Sequence, residues 1–540
     1  MSEKAVKKQG LRANFVYNFI SQILTLLIPL ITTPYLARVL HETGNGQISY
    51  ASSIITYFTL FATLGFDTYG QRKIAGCQED KEKKSQVFWE ICILKTCCTL
   101  IAYAVLCAIL FTVGFGETYN RLILLLSIQV IAIPLDIQFL FRGSEDFRSI
   151  AIRTIVMRLI GLVCIFAFVK DESDTWVYAL CLSVSTVASN LIMWPSLIKR
   201  IGKCKIGWGT LSVHLKPSLL IFLPMVAITL YSVFDKTMIG LLAENPDYEN
   251  GCYEQAYKIN SVALLLVTII SPVMMSRNAH DYEKGDMESI KRHLMFASSY
   301  VWMMGIPLIV GFAVLSDNLR SWYLGDGYAE VPLLMIIMSV RFISSGFAEI
   351  FGTQLFIAIG KEKYQTIATI IAAVINLTLN YFLIQIYGAT GAAIATAVCE
   401  VFVTLILAIL AYRMHIISFR KVLFSSWKYI VAAAVMFVPI FFMQRALGNA
   451  IWTFAVIMAT GIITYALMLF ILRDRFFLNN VSTIFLIFKK KFAPIQKAAS
   501  DETKTAADDE ENEAQKEDVD KTDIADNKID EKKEESDVQK

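Results

Sequence analysis

Long apolar runs alternate with short polar connections along most of this 540-residue chain, and the runs are of bilayer-crossing length. A transmembrane helix needs roughly 20 apolar residues to pass the hydrocarbon core. The pattern predicts fourteen spans, at about 13–37, 47–66, 87–113, 121–141, 152–169, 176–198, 217–242, 255–276, 294–315, 330–357, 364–387, 389–412, 428–444 and 450–472. The connections test this count, because Lys and Arg gather on the cytoplasmic side of short loops. The amino-terminal arm carries four cations (Lys4, Lys7, Lys8, Arg12), the inward loops carry two to five each, and the outward loops carry one or none. That alternation predicts an even number of spans with both termini cytoplasmic. The first span is too long for the apolar part of a cleavable signal peptide, and it is expected to stay in the membrane.

Two internal echoes divide the chain into similar halves. Gly143, Glu145, Phe147, Ile150 and Ala151 reappear 217 positions later as Gly360, Glu362, Tyr364, Ile367 and Ala368. Gly46, Ala51 and Ile54 reappear 205 positions later as Gly251, Ala256 and Ile259. Repeats whose halves enclose a midplane cavity are the sequence mark of secondary transporters. The expected organisation is a basic amino-terminal arm (1–12), an N-lobe of six spans (13–198), an inward linker (199–216), a C-lobe of six spans (217–412) and two further spans (413–475). An interfacial helix (476–500) and an acidic tail (501–540) complete it. In the tail, 17 acidic and 7 basic side chains give a net charge of −10, leaving +13 on the rest. Such a composition buries too little apolar surface to fold, so the tail is expected to be a disordered cytoplasmic segment.

Composition places the body of the chain in a bilayer: 55% of residues are hydrophobic and the mean hydropathy is +0.52. Ten cysteines without a CxxC pair read as apolar packing rather than metal or disulfide chemistry. Walker A, HExxH and GxSxG motifs are absent, and the short outward loops disfavour a membrane polymerase. No catalytic residue, metal, cofactor or nucleic-acid partner is expected. The five histidines (His41, His214, His280, His293, His415) lie near loops or span ends and read as solvated.

Charges inside spans carry more information, since each costs about 3 kcal/mol at the bilayer centre unless a cavity or partner receives it. Arg341, Lys258, Lys236, Arg158 and Lys95 are candidate cavity cations for an anionic substrate. Asp235, Glu400 and Asp136 are candidate ion-coupling carboxylates. The alternative is pairing between helices, Glu90 with Lys95, Asp235 with Lys258 and Arg341 with Glu400. Arg38, Asp67, Arg72 and Lys73 lie nearer span ends, where snorkelling explains them. Pro29 and Pro34 in span one and Pro224 in span seven are candidate hinges, each removing a helix hydrogen bond from the first span of its half.

The segment Pro34–Ala75, the QFLFRG run Gln138–Gly143 and the Gly388–Val398 sequence GATGAAIATAV resemble the bacterial polysaccharide transport family, the Wzx-type lipid-linked oligosaccharide flippases. The resemblance spans about residues 10–475. It departs from the family at Asn45, where many members carry an aromatic residue, and in the acidic tail. It implies an all-α fold like that of the multidrug and toxin extrusion superfamily, with two six-helix lobes around a central cavity and two added C-terminal helices. It also implies transfer of undecaprenyl-pyrophosphate-linked repeat units across the bacterial inner membrane, with ion-gradient coupling, for O-antigen, capsule or exopolysaccharide assembly. The implied partners are the lipid-linked oligosaccharide, membrane lipids and a polysaccharide polymerase or other assembly proteins. A same-fold exporter of a peptidoglycan precursor or a drug, and a membrane polymerase, remain open as alternatives.

Overall fold

The computed structural model describes residues 28–77, 80–197, 200–202, 204, 208–416 and 419–480. Among the described residues, twelve helical segments are long and apolar enough to cross a membrane: α1 (His41–Ala75), α2 (Lys81–Thr112), α3 (Glu117–Gly143), α4 (Phe147–Phe168), α5 (Glu172–Leu197), α6 (Trp208–Leu242), α7 (Pro246–Glu283), α8 (Met287–Leu324), α9 (Val331–Ile357), α10 (Lys363–Arg413), α11 (Arg420–Leu447) and α12 (Ile451–Ile471). Residues 28–39 are also helical and belong to the first predicted span, whose earlier part lies outside the described residues, as do the basic arm and the acidic tail. The chain divides into two compact units, 1–468 and 469–540. Of the second unit, residues 475–480 start a helix capped by Asp474, whose carboxylate accepts from the Phe477 N–H at 2.8 Å.

Segment α10 has 51 residues, which at ~1.5 Å per residue would be far longer than a bilayer is thick. It folds back on itself at Gly388, whose φ of 54° and ψ of −133° suit glycine alone. The amide of Asn376 donates to the Thr396 hydroxyl at 3.4 Å across the turn, and a Cβ on Gly391 would collide with the Leu383 carbonyl. Residues 363–387 and 389–413 are therefore antiparallel neighbours, divided where the hydropathy pattern separates spans 364–387 and 389–412.

The helices are not broken at the predicted hinge prolines. Residues 28–39 stay helical through Pro29 and Pro34, and α6 continues through both Pro217 and Pro224. The breaks lie elsewhere. Helix α1 is interrupted by two left-handed residues, Leu64 and Gly65, and α3 passes through a 3-10 turn at Ile133–Leu135 before Asp136 adopts an extended backbone. Backbone groups freed within a membrane need partners. Ser218 donates to the Leu64 carbonyl (2.6 Å), Asn190 to that of Ala132 (3.0 Å), Trp194 to that of Leu135 (2.9 Å) and Lys95 to that of Asp136 (2.9 Å).

Within residues 1–468 the buried apolar side chains form several clusters, one of which also takes in Ala37 from residues 28–39 beside C-half side chains. Phe66, Phe88, Phe139 and Phe141 centre one N-half cluster, and Ile54, Leu106 and Leu126 another. Phe342, Phe351 and Leu294 centre a C-half cluster, and Tyr253, Tyr328 and Leu334 its neighbour. Helix α6 serves both halves: Leu211 packs in the first, Met238 and Ile239 in the second.

The offset-205 echo is the meeting point of the halves. Helices α1 and α7 cross so closely that a Cβ on Gly46 would collide with the Asp247 carbonyl and one on Gly251 with that of Glu42. Each glycine faces the backbone four residues before the other, the reciprocal contact of a two-fold axis. Ala51 and Ala256 are both fully buried behind the crossing. The other echo aligns less directly in three dimensions. The left-handed residue that ends the helix is Glu145 in the first copy and Gly360 in the second, and the closing bonds run from Asp146 N–H to the Phe141 carbonyl and from Lys361 N–H to that of Phe356. These are equivalent Schellman ends offset by 215 rather than 217, so two residues differ within the loop.

Candidate substrate cavity and buried charge networks

The N-half encloses a cavity of about 1010 Å³. One wall is a stripe of α4, Arg153, Thr154, Met157, Arg158, Gly161 and Ile165, whose spacing keeps one helix face toward the opening. Residues 28–36, α1, Lys95 of α2, α3 and α5 supply the rest, and Lys258 of α7 enters from the C-half. Five basic residues (Lys95, Arg142, Arg153, Arg158, Lys258) and two acidic ones (Asp67, Asp136) surround it, with hydroxyls and amides such as Thr33, Gln129, Ser185 and Asn190 between them.

The burial of these charges is balanced locally. Lys95 is fully buried in the wall, donating to Asp67 at 2.7 Å and to the Asp136 carbonyl, with Phe139 beneath it. Arg153 donates to the Ser189 carbonyl at 3.2 Å and to Met193 sulfur at 3.0 Å, and its Nε is buried without a partner. A guanidinium held in the wall beside an opening contributes positive potential to it. Arg142 is exposed and donates to Gln138 at 3.2 Å. Asp136 accepts from both the N–H and the side-chain amide of Gln138.

In the C-half the intramembrane charges close on one another. Asp235 is buried and accepts from Tyr253 (2.5 Å), Thr396 (2.5 Å) and Asn380 (2.6 Å). Glu254 takes Lys236 at 2.5 Å and Lys258 at 3.1 Å and faces Ser49 of α1. Arg341 lies 3.5 Å from Glu400, which also accepts from Ser345 at 2.8 Å. Both Lys236 and Arg341 stack on the Tyr257 ring, so one aromatic face joins two of these networks.

Of the candidate cavity cations, Lys258, Arg158 and Lys95 lie on the cavity, as does Asp136, whereas Arg341, Lys236, Asp235 and Glu400 lie off it. Pro29 is on the lining; Pro34 and Pro224 are not. Two of the three expected pairings are replaced. Lys95 takes Asp67 instead of Glu90, because the broken α1 carries Asp67 back toward α2. Lys258 takes Glu254, one helical turn away, while Asp235 is satisfied by neutral donors. The Arg341–Glu400 pair is present. Glu90 instead meets His214 at 2.7 Å, and the other ring nitrogen of that histidine meets the Tyr69 hydroxyl at 2.8 Å. His214 is thus a buried link between α6 and the N-half rather than a solvated residue. Arg153, Arg142 and Glu254 are missed by the sequence reading because each sits within a few residues of a predicted span end. The available signal was the i, i+4 spacing of Glu254 with Lys258.

Ends predicted to face outward are tied across the halves. Asn45, the residue that departs from the family pattern, donates to the Leu36 and His41 carbonyls and to the Tyr328 hydroxyl at 3.0 Å. Gln47 and Tyr119 both donate to Asp247, and Arg38 donates to the Trp322 carbonyl.

Apolar helices of bilayer length around a charged cavity define a multi-pass membrane transport protein. Residues 11–276 match the family described as polysaccharide biosynthesis protein. A protein of Escherichia coli (strain K12) provisionally named an O-antigen transporter is 24% identical over 406 residues, covering 74% of this chain and 95% of its own length. The solved structure of a lipid II flippase MurJ in an inward closed conformation covers 86% of this chain and 99% of its own, with a TM-score of 0.64 at 17% identity. An inward-facing transporter of the multidrug resistance MATE family covers 72% and 98%, with a TM-score of 0.54 at 13% identity. The fold is the one these two structures share.

Proposed function

We propose that the protein moves lipid-linked oligosaccharide repeat units, carried on undecaprenyl pyrophosphate, from the inner to the outer leaflet of the bacterial plasma membrane for surface-polysaccharide assembly. The observation that carries this reading is the composition of the N-half cavity: five cations against two carboxylates, amid hydroxyls and amides. Arginine and lysine recognise phosphate through charge-assisted hydrogen bonds, and hydroxyls and amides suit sugars. The volume of about 1010 Å³ is at the upper end of the ~300–1,000 Å³ of small-molecule sites, as a multi-sugar headgroup requires. The name given to the E. coli relative supports the same cargo class.

Fourteen spans with both termini cytoplasmic fit the loop charges. In that topology the halves meet at the outward end and the cavity faces inward, the state from which cytoplasmic cargo is loaded. Alternating access then consists of parting the outward ties, the α1–α7 crossing among them. Arg158 and Lys258 contact the headgroup, Lys95 stiffens the wall, and Arg341 and Lys236 position Tyr257 beside Lys258. Asp235, ringed by neutral donors, is the favoured ion-coupling carboxylate. Its occupancy by a proton or small cation would alter the end of α6 that joins the halves. No covalent bond changes in this cycle.

Depletion should build up single lipid-linked repeat units on the inner leaflet, read by labelling of intact and permeabilised cells. Accumulation on the outer leaflet would indicate a polymerase instead. A peptidoglycan-precursor cargo is the second reading, favoured by the TM-score of 0.64 with the lipid II flippase; arrest of wall synthesis on depletion would select it.

A further inference from the structure

A second basic recess lies apart from the cavity just described, where the start of α8, the end of α10 and the start of α11 meet. It has a volume of about 770 Å³. Lys291, Arg292, Arg413 and Lys421, with His415, stand around it against one carboxylate, Glu288. The chain builds it through a left-handed turn: His415 has a φ of 56°, and Ile416 N–H closes onto the Ala411 carbonyl at 3.2 Å. This closes the end of α10 at the recess, which Arg413 and Lys421 both line. The floor is apolar. Leu294, Ile416 and Val422 are buried there and belong to the C-half core, so the recess is anchored in rigid packing.

The cations are weakly engaged within the protein. Lys291 reaches Glu288 only at 3.7 Å, with both side chains exposed, and Arg292 donates to the Ser289 hydroxyl at 2.7 Å. Among the described residues, Arg413 and Lys421 have no ion-pair partner and both are exposed. Surface ion pairs of the Lys291–Glu288 kind contribute little, so the local field stays positive.

We propose that this recess binds the phosphate headgroup of an anionic membrane phospholipid. The cations lie at the ends of apolar helices, the level at which a bilayer presents its phosphates, and basic pockets between membrane helices hold such headgroups. Charged rim and apolar floor together match a lipid, phosphate above and the first acyl carbons below. A soluble phosphate gains from the rim alone. The bound lipid fastens α11 to α8 and α10, so the site steadies the C-half while the N-half cavity handles cargo. It does not depend on what that cargo is.

The test uses the full-length purified protein with phosphatidylglycerol, phosphatidylcholine and inorganic pyrophosphate, reading bound lipid by native mass spectrometry. Phosphatidylglycerol should bind in preference to phosphatidylcholine. The Arg413→Gln/Lys421→Gln variant should bind it roughly tenfold more weakly or worse, since each cation near a membrane phosphate contributes appreciably. Arg413→Lys/Lys421→Arg should restore binding, and Arg142→Gln in the N-half cavity should leave it unchanged. If the glutamine variant does not fold, Lys291→Gln/Arg292→Gln on the opposite rim gives the same reading. Equal binding of the two lipids, undiminished binding by a folded glutamine variant, or displacement of the lipid by an equal concentration of pyrophosphate would each overturn the proposal.

Discussion

The two halves use intramembrane charge in different ways. In the N-half, Arg142, Arg153 and Arg158 stand along an open cavity, and Arg153 keeps a donor without a partner. In the C-half, Asp235, Glu254 and Glu400 are enclosed by hydrogen-bond or ion-pair partners, and the cations opposite them stack on one tyrosine. One half thus arranges charge around an opening and the other braces it between helices. The lesson is that a charged residue within a span signals function of some kind, but only its neighbours show whether it faces a ligand or another side chain. Lys258 stands between the two uses, paired to Glu254 on the C-half yet lining the N-half cavity.

The harshest way to break this division is at the crossing that both halves share. Gly46→Leu or Gly251→Leu would force α1 and α7 apart where their backbones touch, costing about 3 kcal/mol or more and abolishing export. A variant of either kind with native melting and export would show that the two backbones do not touch at the crossing. Next in size, Asp235→Ala would leave the donors Tyr253, Thr396 and Asn380 without their acceptor, a loss of about 3 kcal/mol measured by thermal unfolding in detergent.

The comparison itself is sharpened by matched substitutions. Arg341→Gln would strand the buried Glu400 and lower stability by about 3 kcal/mol. Arg142→Gln/Arg158→Gln would instead lower export roughly tenfold or more, as lost charge-assisted bonds to phosphate do, with the smaller change in melting. The reverse assignment of the two effects would invert the roles given to the halves.

The smallest effect is expected in the loop between α3 and α4. Burial tends to raise the Asp146 carboxyl, but bonds from the Ser149 hydroxyl and N–H and the Arg200 guanidinium at 2.5 Å outweigh it and hold the group below its ordinary value. Its stabilisation is therefore present above the unfolded carboxyl value near ~3.9 and fades as pH falls through the lower folded one. Asp146→Ala should cost about 1 kcal/mol at neutral pH and remove that part of the acid sensitivity. An unchanged acid-unfolding profile would show that the cap contributes nothing.

Most of the helical architecture is legible in the chain because it depends on local properties. Apolar length sets the spans, and the boundary at Gly388 coincides with the gap between two apolar runs. Reciprocal glycines are visible as an echo because a close helix crossing admits no Cβ on either side. The broken helices are less legible. Gly65 and Pro134 mark the two places, but isolated Gly and Pro recur within unbroken membrane helices, and the partners of the freed groups, Ser218, Gln138 and Lys95, reach them only in the folded chain. His214 is similarly opaque: its place near a predicted loop says nothing of Glu90 and Tyr69 closing over it.

By itself, then, the sequence determines a duplicated helical membrane protein with cations inside its spans, since hydropathy, loop charge and repeated glycines are properties of neighbouring residues. Which cations face a cavity and which are consumed in pairs was decided only by the tertiary structure. The reason is geometric: partners such as Lys95 with Asp67, or Arg341 with Glu400, lie 28 and 59 positions apart and meet only after the helices have packed.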